Sequence, residues 1–243
     1  MQHLLRRKII SILIAFFILP YIGLSQSDVE QNLPDHDNKL YHFGINLGFN
    51  RSFSSFTMHP NFLLQDSVMG IESINSTGLS LGWMVNLNLN EHFDLRTYPV
   101  NLTFSENAFQ YTLLYPDEPG GESRLTTKSV QSITMSLPIQ LKFSSDRIYN
   151  YKVYTFGGVK FSYDFSANAG KKNGEEIIQL KGFDYGIQGG IGFHLYYPYF
   201  VLTPEVNFSW GLANLHSRNP SLKFSSNIDK INSRMITFSL MVE

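Results

Sequence analysis

Tyr199-Phe200-Val201-Leu202-Thr203-Pro204-Glu205-Val206-Asn207-Phe208-Ser209-Trp210-Gly211-Leu212 is the stretch on which the fold turns. Its even positions, Phe200 to Leu212, are all apolar. From Thr203 onward its odd positions are polar or small. Successive side chains of a strand point to opposite faces, so the stretch reads as a strand with one apolar and one polar face. A helix would group residues three and four apart, which this pattern does not do. Pro204 has no N–H to give a neighbour, so a bulge or interrupted pairing is expected beside it.

The same period recurs on both sides. Tyr41, Phe43, Ile45, Leu47 and Phe49 alternate with His42, Gly44, Asn46, Gly48 and Asn50. Leu79 to Leu89, Ile133 to Phe143, Phe183 to Leu195 and Ile236 to Val242 repeat it. Around Pro99 the parity flips: Phe93 and Leu95 fit one phase, Val100, Leu102 and Phe104 the other. That change calls for a β-bulge. Counting Val153 to Phe165 as well, strands are expected over 40–51, 76–90, 92–105, 128–144, 151–166, 180–196, 199–215 and 230–243. Turns near Asn90–Glu91, Ser145–Asn150 and Tyr197–Pro198 are short, whereas the connections over 52–75, 106–127, 167–179 and 216–229 are long.

Alternation does not say which face is inside; a secreted soluble β protein would bury the apolar one. Three features favour lipid outside. The strands run to about 12–17 residues, against roughly 5–6 in soluble sheets. Tyr41, Tyr98, Tyr149, Tyr151, Tyr163, Tyr185, Tyr197, Tyr199 and Trp210 gather near strand ends, like interfacial girdles. The polar face carries charge and glycine, which suits a narrow lumen. The expected fold is all-β: an eight-stranded antiparallel up-and-down transmembrane β-barrel of the outer-membrane type, with both termini periplasmic.

Arg6, Arg7 and Lys8 precede an apolar run from Ile9 to Leu19, with Gly23 and Ser25 before Gln26. This predicts a cleaved secretory signal over residues 1–25, then a flexible periplasmic segment over 26–39 and the barrel over 40–243. The apolar run is shorter than the roughly 20 residues a membrane helix needs, and no later stretch is long enough. The signal holds three of the 19 basic residues and none of the 20 acidic ones, so the mature balance is −4. That argues against nucleic-acid binding. Without cysteine there is no disulfide, thiolate chemistry or lipidated cysteine.

By parity Lys142, Lys152, Lys160, Asp164, Asp184 and Glu205 face inward. Lys160 and Glu205 are expected at one height, meeting across the lumen. The expected polar network of Lys160, Glu205, Asp184, Asp164 and Lys142 is structural, filling and closing the lumen; an ion or proton pathway is the alternative. His59, Asp66, Ser67 and His216 lie in loops without the spacing of a catalytic triad. No metal-ligand spacing or phosphate cradle is apparent, so no enzyme activity, cofactor, metal or small-molecule substrate is expected.

Ser136-Leu137-Pro138-Ile139-Gln140-Leu141-Lys142-Phe143 resembles a strand common in outer-membrane barrels of Bacteroidota. The continuation Asp146-Arg147-Ile148-Tyr149-Asn150-Tyr151, Tyr154 and Gly157-Gly158-Val159-Lys160-Phe161-Ser162-Tyr163-Asp164 is similar to the PorT family, also called SprT. Phe93-Asp94-Leu95-Arg96 and Thr203-Pro204-Glu205 resemble it too. The resemblance covers about 40–243 and is strongest over 136–164. It implies a non-catalytic outer-membrane component of type IX protein secretion or gliding motility, an accessory or assembly factor with other components of that machinery and lipid as partners. A generic structural or adhesion barrel and a small porin are the alternatives.

Overall fold

A computed structural model describes residues 30–60, 68–116, 123–167, 180–217, 225 and 227–243. The expected signal over 1–25 and parts of every long connection lie outside the described residues. Nine strands follow in order: β1 (Tyr41–Met58), β2 (Val68–Ile74), β3 (Ser76–Asn88), β4 (Phe93–Leu113), β5 (Leu125–Ser144), β6 (Tyr151–Asp164), β7 (Phe183–Tyr196), β8 (Val201–Gly211) and β9 (Ile228–Val242).

β2 and β3 are two segments of one stave. Both pair with β4, β3 as far as Leu79↔Phe104 and β2 beyond it from Ile74↔Ala108. Pairing of β1 with β9 and of β4 with β5 closes the ring, giving an eight-stranded antiparallel barrel. Where β3 completes the ring, closure leaves no strand edge for lipid to meet, the condition for a β structure to cross a membrane; β2, at the long-connection end, pairs with β4 alone. The fold class expected from the alternation is the one observed.

The faces also fall as expected. Phe43, Trp83 and Phe238 are 69%, 67% and 58% exposed, while Asn46, Ser80 and Thr203 between such residues are buried in the lumen. Register shifts between Trp83 and Val85 and between Thr97 and Leu102 bracket Pro99, so the parity change is a bulge. On the β7 side, pairing skips from Gly192↔Glu205 to Leu195↔Leu202, leaving Pro204 without a partner to serve there. The turn after β3 is set by Asn90, whose Oδ1 accepts from the backbone N of His92 at 3.0 Å and of Phe93 at 2.8 Å.

Two expectations about extent are corrected. β1, β4 and β5 run well into the stretches expected as the long connections 52–75 and 106–127, and β2 lies wholly inside the first of these. The cause is an apolar cluster at the long-connection end: Val68, Ile71, Phe109, Tyr111, Leu113, Leu180, Ile228 and Ile231 are buried together, with Phe56 and Leu215 against them. Burying these side chains offsets the entropy of ordering the extra strand. Conversely β8 stops at Gly211, short of residue 215.

The segment expected to be flexible over 26–39 is held against the short-turn end of the barrel from Asn32 onward. Asn32 Nδ2 donates to the Tyr196 carbonyl at 3.0 Å, and the Arg147 guanidinium donates to the carbonyls of Asn32 and Leu33.

Candidate functional site

The lumen is filled in tiers. At the short-turn mouth, Asp37 accepts from Tyr196 Oη at 2.7 Å and pairs with Arg147 at 3.2 Å and Lys152 at 3.5 Å. Burial pushes the Asp37 carboxyl up, but the Tyr196 hydroxyl and the charges of Lys152 and Arg147 hold it below its usual range. The next tier joins Lys142 Nζ to Asp94 Oδ2 at 2.7 Å and to His194 Nε2 at 3.2 Å, with His194 Nδ1 2.8 Å from Thr203 Oγ1. Above it Arg96 meets Glu205 Oε2 at 2.6 Å. Arg96 Nε donates to Gln140 Oε1 at 2.6 Å, and Tyr154 Oη donates to Glu205 Oε2 at 2.6 Å. The Arg96 guanidinium lies 4.6 Å from the Phe156 ring centroid.

Local structure explains this tier. Phe93 and Leu95 face outward on β4, so Asp94 and Arg96 must face inward. Tyr154, Gly192 and Glu205 are level across β6, β7 and β8. A Cβ at Gly192 would stand 2.3 Å from the Tyr154 ring and hydroxyl, so only glycine lets the Tyr154 side chain cross to Glu205.

The five residues expected to form one network fall in two places. Lys142 and Glu205 belong to the tiers just described. Lys160, Asp164 and Asp184 line a cavity of about 70 Å³ nearer the long-connection end. Lys160 does not meet Glu205. In register it follows Gly186 and Gly211, six residues along β8 from Glu205, and although both residues border one cavity of about 40 Å³, the Glu205 carboxylate is taken by Arg96 and Tyr154. Among the described residues its ammonium makes no ion pair or hydrogen bond. Asp164 accepts from Ser132 Oγ at 2.7 Å and from the Ser166 backbone N at 2.8 Å, and Asp184 from Ser233 Oγ at 2.5 Å. The partners that Lys142 and Glu205 do have, Asp94 and Arg96, are readable from the β4 alternation. Tyr154 and His194 share the inward parity of Lys152 and Asp184, but the sequence does not say which groups they meet.

A cavity of about 40 Å³ lies above the Arg96–Glu205 tier and one of about 20 Å³ within the mouth tier, and a wider hollow of about 620 Å³ is lined by Phe49, Gly78, Phe104 and Glu106. Of the loop residues, Asp66 and Ser67 lie outside the described residues. His216 is buried rather than solvated, with Nε2 3.0 Å from Ser225 Oγ. At the short-turn mouth His36, His42 and Glu243 converge.

Residues 25–217 match the family model described as outer membrane protein β-barrel domain. No curated protein matches the chain. Among solved structures the chain is similar to neisserial surface protein A, at 10% identity over 84% of this chain and 99% of that one, with a TM-score of 0.42. It is also similar to OprG of Pseudomonas aeruginosa, at 11% identity over 82% and 94% with a TM-score of 0.44. Ail of Yersinia pestis is similar at 10% identity over 82% and 96%, with a TM-score of 0.38. With a closed ring of strands, an apolar outer face and a family match over most of its length, this chain belongs to the outer-membrane protein β-barrel domain family and resides in the outer membrane.

Proposed function

We propose that this barrel is a sealed, non-catalytic component of the outer membrane that acts through protein contacts at its two ends, and that the machinery it serves is type IX secretion. The observation that carries the reading is the occupied lumen. Arg96, Glu205, Gln140 and Tyr154 meet at its centre, and Asp37 draws Arg147 and Lys152 over the short-turn mouth. A conducting pore needs a continuous water path, and these groups occupy it. The short-turn end then faces the periplasm, as in other outer-membrane barrels, and the long-strand end faces outward. The choice of type IX secretion rests on the resemblance of residues 136–164 to the PorT family. Deletion of the gene tests it: secretion of type IX cargo fails, and intact secretion overturns the assignment.

A second reading, an adhesion barrel, is favoured by the wall that β2, β4 and β5 raise past the apolar band. Its outer face carries Glu72, Gln110 and Thr127. If deletion of the gene leaves secretion intact while cell attachment is lost, and shortening this wall alone also abolishes attachment, the adhesion reading replaces the first. Steady currents from purified protein in a planar bilayer would reject the sealed lumen common to both.

A further inference from the structure

His36, His42 and Glu243 each offer one ligand atom, and these atoms lie within 4.8 Å of one another. The three side chains come from separate parts of the chain. His42 is an inward residue near the start of β1. Glu243 follows β9; its backbone N and O both pair with Val201 at 3.0 Å, which sends its side chain into the mouth. His36 sits in a turn of the lead-in, where its N donates to the Leu33 carbonyl at 3.1 Å and its carbonyl accepts from Lys39 N at 3.2 Å. Its ring stands edge-on to Tyr196, at 5.9 Å and 84°.

The spacing is close to that of a coordination shell, with His36 and His42 now sharing a hydrogen bond along one edge. Two ligands each about 2.0–2.1 Å from a tetrahedral ion stand roughly 3.3 Å apart. His36 Nε2 and His42 Nδ1 are 3.3 Å apart, and His42 Nδ1 is 3.8 Å from Glu243 Oε2. The His36–Glu243 edge is within 4.8 Å, so movement of the glutamate towards both imidazoles completes the other two edges.

The second observation is the carboxylate itself. The side chains of Glu243 and His42 are 5% and 7% exposed. Among the described residues no donor forms a hydrogen bond to the Glu243 carboxylate. A buried carboxylate without a donor is costly, and a cation between it and two imidazoles removes that cost. The nearby positive groups form their ion pairs with other carboxylates: Lys142 with Asp94, and Lys152 and Arg147 sharing Asp37.

We propose that His36, His42 and Glu243 bind one divalent transition-metal cation of the zinc class, with solvent as fourth ligand, at the short-turn mouth. Two imidazoles and one carboxylate suit zinc and its neighbours rather than calcium or magnesium, which prefer all-oxygen shells. β1 and β9 are the first and last staves of the ring, so the ion staples the lead-in to the seam that closes the barrel.

The test uses the chain purified in detergent without a polyhistidine tag, stripped by chelator and titrated with zinc. The expected result is one equivalent bound, a raised melting temperature, and the visible absorption of tetrahedral cobalt when Co²⁺ replaces zinc. His36→Gln and Glu243→Gln each weaken binding at least tenfold and abolish the cobalt band, while His92→Gln, outside the cluster, leaves both unchanged. His36 is outside the strands, so its variant tests the site even if substitutions in the barrel impair folding. Failure of the wild type to hold zinc overturns the proposal, as does unchanged binding in both cluster variants.

Discussion

Tyr154 and Glu205 lie level on β6 and β8, separated only by Gly192, and the Tyr154 hydroxyl donates to Glu205 Oε2 at 2.6 Å. Arg96 reaches the same oxygen at 2.6 Å from the far side of the ring. One carboxylate thus ties staves from opposite sides of the barrel. Each contact is made where water is excluded, so the arrangement matters more as a matched set than as a sum of pairs.

Arg96→Ala or Glu205→Ala leaves a charge buried without its partner. With side chains 1% and 2% exposed, each substitution costs about 3–5 kcal/mol. The double variant Arg96→Met, Glu205→Leu costs much less than the two together. Urea unfolding in detergent micelles checks this, and additive losses would show that the two residues do not act as a pair.

Lys160→Met behaves differently. Its ammonium lacks an ion pair among the described residues, so the substitution leaves stability unchanged or raises it. A loss as large as that of Glu205→Ala, measured by the same unfolding curve, contradicts the placement of Lys160 beside the cavity.

Gly192→Val places a methyl-bearing carbon where the Tyr154 ring passes, 2.3 Å from its Cζ. Overpacking of this kind costs about 1–3 kcal/mol, and here the lost hydrogen bond to Glu205 adds to it. Tyr154→Phe removes only the hydroxyl and costs about 0.5–1.5 kcal/mol beyond the charge left on Glu205. The check is that Gly192→Val is the more damaging in thermal melts followed by heat-modifiable gel migration.

Leu137→Arg tests the outward face. Leu137 is in the middle of the apolar row from Ile133 to Phe143, all six outward residues of which are exposed. An arginine there costs about 2–4 kcal/mol in a bilayer. The same substitution at Ser136, whose side chain faces the lumen, reports on packing instead. Refolding yields into lipid vesicles distinguish lipid on that face from a buried apolar core.

Which side each residue faces was legible in the sequence, because the two-residue period of a strand is local and needs no partner to define it. The alternation in residues 199–212 gave the correct inward set on β8, and the parity change at Pro99 located the bulge. Even Arg96 and Asp94 follow from Phe93 and Leu95 beside them. Height along the barrel was not legible. It is the sum of every turn and every register shift between one stave and the next, so Lys160 and Glu205 looked like partners, whereas Glu205 pairs with Arg96 and Lys160 only borders the same cavity.

The chain's own residues therefore determined a barrel with an apolar outside, a polar inside and eight staves. Only the tertiary structure decided which polar groups meet: Glu205 with Arg96 and Tyr154, Lys142 with Asp94, and His36 with His42 and Glu243. It also decided that β1, β4 and β5 continue past the apolar band, where Phe109 and Tyr111 find Ile228 and Ile231 to pack against. The physical reason is the same throughout. Facing is a property of one strand, whereas an ion pair, a coordination shell or a packed cluster exists only once distant strands are brought into register.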